Sequence, residues 1–189
     1  MRVLDDLGQR DNTLIVFAGD NGLAVGQHGL MGKQNLYDHS VRVPLVFAGP
    51  GIPPGITSDA LVYLLDVFPT LCDVLELPVP RSVEGRSLIP HVNGPEAPLR
   101  DALYLAYGWS LRGVTDGRHK LIEYACGETQ LFDLEGDPHE MHNLAGVADS
   151  AGTLQHLRRR LLSLARELDD ANHPTGAKYW SMRADLKNS

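Results

Sequence analysis

The sequence has only two cysteines, and their scarcity excludes several kinds of site. Cys72 and Cys126 lie far apart in the chain, and neither belongs to a CxxC pair. A disulfide framework needs several cysteines, and a cysteine-type zinc site needs them in close pairs. The sequence therefore excludes both.

Basic residues are also fewer than acidic ones. The 17 lysines and arginines are outnumbered by 24 aspartates and glutamates, which gives a formal charge of −7. A nucleic-acid-binding domain carries a basic patch or stripe. The one basic run, residues 158–160, is typical of a solvated helix face. We therefore expect no nucleic-acid partner.

Long apolar runs are also missing. No run approaches the ~20 residues that a helix needs to cross a bilayer. The residues after Met1 have the pattern of a short helix rather than that of a signal peptide. We expect a soluble chain without a membrane span, and the sequence leaves its compartment unknown.

The first hundred residues contain apolar runs of strand and helix length. Residues 13–18 and 43–48 are nearly continuous apolar runs, which are typical of strands covered on both faces, as in a parallel α/β sheet. Residues 63–77 have apolar side chains at helical spacing, with Pro69 placed in the first turn. Prolines and glycines mark residues 77–98 as a connector.

The second half has a different pattern. Its four short strand candidates are separated by glycine-containing turns, among them Asp116-Gly117, and lie at residues 102–107, 110–115, 119–124 and 129–134. Leucines from Leu154 to Leu168 then predict an amphipathic helix. The polar tail after Pro174 allows no assignment.

The predicted fold class is therefore α/β. Residues 1–100 are expected to form a partial mixed sheet flanked by helices. Residues 101–189 are expected to form a subdomain with a small four-stranded antiparallel sheet and a C-terminal helix.

Five glycines and a lysine follow the first apolar run, within residues 14–34. A P-loop requires GxxxxGK followed by Ser or Thr, but Gln27 and Gln34 occupy two of the required positions. The dinucleotide fingerprint GxGxxG also fails on spacing. Neither nucleotide-binding motif is present.

Asp20 and Asn21 offer two oxygen donors just beyond a predicted strand, where open α/β sheets place their ligand sites. Carboxylate and amide oxygens favour Ca²⁺ or Mg²⁺ over zinc. Both side chains can meet one ion only if the chain turns, which the glycines at 19 and 22 permit. On its own, the dipeptide is more often a simple turn.

A longer pattern resembles the sulfatase family of the alkaline-phosphatase-like superfamily. Residues 19–46 read G-D-N-G-x-x-x-G-x-H-G-x-x-x-K-x-x-x-Y-D-x-S-x-R-V-P-L-V. Further family-like pieces follow in the same order: L-D-x-x-P-T-L at 65–71, L-P-x-P at 77–80, G-R-S-L at 85–88, G-x-x-K-L-I at 117–122, and L-x-D-L-x-x-D-P-x-E-x-x-N-L at 131–144. The ordered series makes the chain similar to the C-terminal portion of a sulfatase.

The resemblance implies hydrolysis of a sulfate ester with one divalent cation, usually Ca²⁺ and in some cases Mg²⁺. Asp20 and Asn21 would be two of its ligands, and Lys33 would hold the sulfate and act on the leaving oxygen. A cation and an ammonium directed at these oxygens lower the barrier electrostatically. His28 would reach the substrate or, as an alternative, bond to loop backbone.

The other matched residues are expected to be structural. Tyr37 and Arg42 are assigned to the framework, and Asp66, Lys120 and Asp133 to packing and turns.

The sequence departs from the family at the nucleophile, a formylglycine made within a C-x-P-x-R-like motif. Cys72 and Cys126 lack that context, and the family's N-terminal aspartate pair has no match, since Asp5-Asp6 lies on a predicted helix. We expect the formylglycine and any signal peptide in a missing N-terminal half. The chain alone would then bind metal weakly, lack turnover and self-associate.

Two other functions stay open. One is that of a phosphonate monoester hydrolase or phosphodiesterase of the same superfamily. The other is that of a non-catalytic, sulfatase-like binding module that keeps the fold and has lost the chemistry.

Overall fold

The computed structural model describes residues 1–92 and 98–187, which fall into two compact units. The first unit comprises Met1–Asp20 and Val43–Asp101, and the second comprises Asn21–Arg42 and Ala102–Ser189. Residues 93–97 of the predicted connector lie outside the described residues. The segment that contains Lys33 therefore folds with the C-terminal sheet.

The described residues contain both strands and α-helices, in groups rather than in strict alternation. The strands are β1 Ile15–Ala18, β2 Ala24–Val25, β3 Met31–Gly32, β4 Leu45–Ala48, β5 Leu103–Tyr107, β6 Leu111–Thr115, β7 His119–Tyr124 and β8 Thr129–Asp133. The α-helices are α1 Arg2–Asp6, α2 Asp38–Val41, α3 Val67–Val74, α4 Ile89–Val92, α5 Ala151–Glu167, α6 Pro174–Met182 and α7 Ala184–Lys187. Together they confirm the predicted α/β class.

In the first unit, β1 and β4 form an antiparallel pair in which Phe17 lies opposite Val46. Both side chains are exposed, at 63% and 53%. This pairing differs from the parallel, doubly covered arrangement that the apolar runs favour. A short apolar run carries no information on strand direction, because its side chains alternate identically in both kinds of sheet.

The helical segment of the first unit is anchored by a buried carboxylate. Asp66 accepts two hydrogen bonds from the Arg100 guanidinium, both at 2.7 Å, and one from the backbone N–H of Arg86 at 2.8 Å. Pro69 lies in the first turn of α3, as predicted. Asp66 therefore has the structural role expected from the sequence.

In the second unit, strands β5 to β8 form a four-stranded antiparallel meander, as predicted. One face packs against α5 through a core that includes Leu121, Leu157 and Leu161. The other face packs against Leu36 and Tyr37 from the segment after β3. Residues 21–42 are thus fixed to the sheet by apolar burial.

The β6–β7 turn has the predicted hairpin chemistry. The Asp116 carboxylate accepts hydrogen bonds from the backbone N–H groups of Arg118 and His119, at 3.0 and 2.6 Å. Gly117 has a φ of 91°, which a glycine adopts without strain.

The C-terminal tail forms two helices, α6 and α7, that the sequence did not reveal. Tyr179 and Trp180 of α6 are buried in the same core as α5. The Trp180 indole donates to Asp170 at 2.7 Å, and Asp170 also accepts from Arg112 at 2.8 Å and from the Tyr104 hydroxyl at 2.9 Å. Two aromatic anchors in an otherwise polar segment give too weak a periodic signal for prediction.

The basic run on α5 is only partly a solvated face. Arg158 pairs with the fully buried Glu123 at 2.7 Å, whereas Arg159 is exposed. The expectation of a solvated face is therefore wrong for Arg158, because a buried carboxylate requires a partner. Along the described residues, no helix has the length and apolar character needed to cross a bilayer.

Candidate functional site

Asn21 and Lys33 are in direct contact within the second unit. The Lys33 ammonium donates a hydrogen bond to the Asn21 side-chain oxygen, with Nζ and Oδ1 2.7 Å apart. The Asn21 Nδ2 donates to the carbonyl of Gly22 at 2.8 Å. The amide nitrogen is thereby held by backbone, and the amide oxygen faces the ammonium.

Asp20 lies just beyond β1 and is exposed. It ends the first segment of the first unit, and Asn21 begins the second unit. The backbone N–H of Gly19 donates to the Pro44 carbonyl at 3.1 Å, so strand pairing continues up to this point. Asp20 therefore stands where the extended backbone ends.

Gly22 makes the turn that the sequence predicts after Asn21. Its N–H donates to the Ser40 carbonyl at 2.9 Å. A Cβ at this position would lie only 1.9 Å from the His39 carbonyl oxygen. No residue with a side chain fits without a backbone shift, so the turn depends on glycine here.

A small hairpin of β2 and β3 carries the chain from Asn21 to Lys33. Ala24 is fully buried, whereas the cross-strand pair Val25 and Met31 is exposed at 66% and 78%. Lys33 follows β3 directly. The hairpin therefore returns the chain so that the ammonium meets the Asn21 oxygen.

His28 lies in the turn between these two strands, with a φ of 54°. Its ring stacks on Tyr37, with centroids 3.9 Å apart and planes 5° from parallel. Its Nε2 lies 3.0 Å from the His139 carbonyl oxygen. A carbonyl only accepts hydrogen bonds, so Nε2 carries the proton. His28 thus makes the backbone bond that one interpretation of the sequence expected, and its contact with substrate stays a prediction.

His39 completes a cluster of three rings with His28 and Tyr37, at centroid distances of 5.7 and 5.6 Å. Burial lowers the pKa of His39, and the nearby His28 and Lys120 lower it further, whereas Asp38 opposes them. The cluster therefore favours a neutral imidazole at residue 39.

An ion-pair cluster beneath these rings was only partly visible in the sequence. Lys120 of β7 is fully buried, and its ammonium contacts Asp38 and, at 2.8 Å, the Oε1 of Glu140. The sequence assigns Lys120 to packing and turns, but it gives no role to Glu140. The only signal for Glu140 was its place in the D-P-x-E piece.

The donors that suit a divalent cation are Asp20 and Asn21. Their oxygens are of the hard type that Ca²⁺ and Mg²⁺ prefer. Within residues 1–92 and 98–187, no group of three or more His, Cys, Asp or Glu side chains is arranged to hold a metal. Ca²⁺ takes about six to eight oxygens, so Asp20 and Asn21 would supply only part of such a shell.

Comparisons with known proteins agree on one family. A family model described as N-sulphoglucosamine sulphohydrolase, C-terminal, matches residues 26–167. The chain is 36% identical to a choline-sulfatase of Rhizobium meliloti (strain 1021) over 94% of its own length and 37% of that protein. It is 32% identical to the multifunctional alkaline phosphatase superfamily protein PehA of Trinickia caryophylli, over 85% of its own length and 35% of that protein. It thus spans little more than a third of the length of these relatives.

Solved structures also match the chain over most of its length. The structure of BT4656 in complex with its substrate D-glucosamine-2-N,6-O-disulfate matches with a TM-score of 0.83 and 31% identity, over 92% of this chain and 38% of that one. The phosphonate monoester hydrolase of Agrobacterium radiobacter matches with a TM-score of 0.77 and 31% identity, over 88% of this chain and 37% of that one.

Proposed function

The chain belongs to the N-sulphoglucosamine sulphohydrolase C-terminal family of sulfatases, and we propose that it carries cation- and sulfate-binding residues of an enzyme that hydrolyses sulfate esters. The observation that carries the proposal is the contact between the Lys33 ammonium and the Asn21 amide oxygen, 2.7 Å apart. A cation ligand and an anion-binding group must be neighbours if they are to act on the same sulfate.

Lys33 is the sulfate-binding residue in this proposal. It is exposed and follows β3 directly, so its ammonium has access to an anion from solvent. Its positive charge would hold the sulfate oxygens of the substrate and oppose the negative charge that builds on the leaving oxygen.

Asp20 and Asn21 would hold Ca²⁺ or, in its place, Mg²⁺. When bound, the ion would withdraw charge from the sulfate oxygens. The hydrogen bond from Asn21 Nδ2 to the Gly22 carbonyl orients the amide so that its oxygen, the better ligand, faces the site.

His28, in the turn between β2 and β3, would contact the substrate. Its Nε2 proton is committed to the His139 carbonyl, so Nδ1 carries a lone pair in the neutral ring. That nitrogen would accept a hydrogen bond from a donor group of the sulfate ester.

The nucleophile would come from outside these residues. No C-x-P-x-R motif occurs in the sequence, so the formylglycine would be supplied by an N-terminal half of the same enzyme. In this proposal, the chain on its own binds sulfate weakly and does not turn over substrate.

Sulfate binding by the purified chain tests this function. We expect sodium sulfate, added in the presence of calcium chloride, to shift the backbone NMR signals around Lys33 in a saturable way. Lys33→Ala should abolish the shifts, whereas Lys178→Ala, which removes an ammonium stacked on Trp109, should preserve them. Saturable sulfate binding that Lys33→Ala leaves intact would refute the proposal. Calcium-dependent turnover of 4-nitrophenyl sulfate by the chain alone would refute the part of it that places the nucleophile outside these residues.

A second candidate is hydrolysis of phosphonate monoesters or phosphodiesters. The likeness to the phosphonate monoester hydrolase of Agrobacterium radiobacter favours it. Sulfate and methylphosphonate are both tetrahedral anions that an ammonium can bind. Titration of the same NMR signals with methylphosphonate discriminates between the two, because a sulfatase site should prefer sulfate and a phosphonate site the reverse.

A further inference from the structure

Two pairs of consecutive residues face each other beside the loop that carries His28 and Lys33. One pair is Tyr37 and Asp38, at the start of α2, and the other is His139 and Glu140, in the loop after β8. The first member of each pair contacts His28, and the second member contacts the buried ammonium of Lys120. The same four residues therefore hold both a buried ion cluster and a partly exposed histidine.

Glu140 is the centre of the buried side. Only 2% of the residue is exposed, and its Oε1 lies 2.8 Å from the Lys120 ammonium. Its Oε2 accepts a hydrogen bond from the backbone N–H of Asp38 at 2.6 Å. One carboxylate thus joins strand β7 to the first residue of α2.

The backbone of Glu140 is strained, and so is that of His28. Their φ values are 57° and 54°, in the left-handed region that residues with a side chain rarely adopt. Such conformations persist only where surrounding contacts impose them, and they concentrate at functional sites. Both residues contact the facing pairs here: Glu140 through the Asp38 N–H, and His28 through Tyr37 and the His139 carbonyl.

The partly exposed side fixes the imidazole of His28. Its ring lies flat on Tyr37, whose hydroxyl donates to Gln130 of β8 at 2.9 Å. Its Nε2 donates to the carbonyl of His139 at 3.0 Å. Any shift of Glu140 displaces the adjoining His139 carbonyl, which is the group that selects the His28 tautomer.

We propose that Glu140 is a positioning residue for His28: by bridging Lys120 and the Asp38 backbone, it holds the His139 carbonyl where it keeps the His28 proton on Nε2 and the lone pair on Nδ1. The catalytic meaning of this arrangement rests on the proposed function, in which Nδ1 meets the substrate. The arrangement itself is a property of the chain alone.

The experiment measures the tautomer of His28 by nitrogen NMR of the full chain at alkaline pH. The wild-type chain should show a protonated Nε2 and an unprotonated Nδ1. Glu140→Gln removes the negative charge opposite the Lys120 ammonium and so weakens this bridge. We therefore expect His28 to show a mixture of both tautomers. Removing the charge on both sides with Lys120→Met and Glu140→Gln together should restore part of the Nε2-protonated form.

Glu123→Gln is the matched control. Glu123 is fully buried in the same unit and is paired with Arg158 and Arg183. Its replacement should lower the free energy of unfolding without changing the His28 tautomer. If Glu140→Gln does not fold, Glu140→Asp, which shortens the same carboxylate, is assessed by the same criterion.

An unchanged His28 tautomer in the Glu140 variant would overturn the inference. So would an equal change in Glu123→Gln, because the effect would then reflect general loosening of the unit. Failure of the chain to bind sulfate would contradict the proposed function and leave the tautomer result to decide the role of Glu140 independently.

Discussion

The carbonyl oxygen of His39 lies 1.9 Å from the position that a Cβ on residue 22 would occupy. This contact closes the turn that follows Asn21, together with the hydrogen bond from the Gly22 N–H to the Ser40 carbonyl. Gly22 and helix α2 are therefore in backbone-to-backbone contact, and the position of Asn21 depends on the absence of a side chain at residue 22.

Gly22→Ala should destabilise the chain and displace Asn21. Because the methyl group would meet backbone rather than a flexible side chain, we expect a loss of about 2 kcal/mol or more in the free energy of unfolding, measured by urea denaturation. Gly136→Ala is the control, since a Cβ there meets nothing within 4 Å. Equal stability of the two variants would show that the backbone moves aside at little cost.

The pKa of His39 predicts a dependence of stability on pH. Burial lowers this pKa in the folded chain from its ordinary value of 6.5, so the unfolded chain binds more protons between the two values. The contribution of neutral His39 to the free energy of unfolding is complete above pH 6.5. It is lost as the pH falls from there through the lowered pKa of the folded chain. We expect the free energy of unfolding to fall between pH 7 and pH 5, measured by urea denaturation at each pH.

His39→Asn should flatten this pH dependence, whereas His156→Asn, on the exposed side of α5, should preserve it. A slope unchanged by His39→Asn would assign the pH dependence to other groups.

Asp170 holds helix α6 to the sheet through Trp180, Arg112 and Tyr104. Burial would raise the pKa of Asp170, but hydrogen bonds from Arg112, Trp180 and Tyr104 outweigh it and lower the pKa. Asp170→Asn leaves the buried Arg112 guanidinium without its counter-charge, so we expect a loss of about 3 kcal/mol in the free energy of unfolding. Asp169→Asn, next along the chain and exposed, should cost far less. Similar losses in urea denaturation for the two variants would contradict this role.

The β1–β4 pair should make the chain self-associate. Phe17 and Val46 are cross-strand neighbours, and both are more than half exposed. Apolar side chains exposed on a two-stranded sheet favour association. We expect sedimentation velocity to show a species that grows with concentration, and Phe17→Ser with Val46→Ser to reduce it. Met141→Ser, at a residue 62% exposed, should not. A wild-type monomer at all concentrations would exclude this association.

The local elements of the fold were predictable because their signals are local. The β6–β7 hairpin was visible in the Asp116-Gly117 turn and in the apolar strands on either side. The direction of β1 relative to β4 was not, because it depends on how residues 19–44 return the chain. Helix α6 was also invisible, because it is held by Tyr179 and Trp180 and not by a continuous apolar stripe.

The candidate site was predictable only in part, and mainly through family resemblance. Spacing alone does not indicate that Lys33 returns to Asn21, since the hairpin between them has strands of only two residues each. The bond from Asp38 to Glu140 joins positions 102 residues apart in sequence. It also requires a left-handed backbone at Glu140, which its sequence context does not signal. Contacts of this kind depend on tertiary packing.

The most direct test of the cation site is a calcium titration of the chain, followed by the backbone NMR signals of Asp20 and Asn21. We predict saturable shifts centred on these two residues, with a dissociation constant of about 1 mM or weaker because the chain supplies few ligands. Lys33→Met should tighten binding about fivefold, since it removes an ammonium bonded to the same oxygen, whereas Lys178→Met should have no effect. Calcium shifts centred on other residues, or weaker binding in Lys33→Met, would contradict a shared site for the cation and the sulfate.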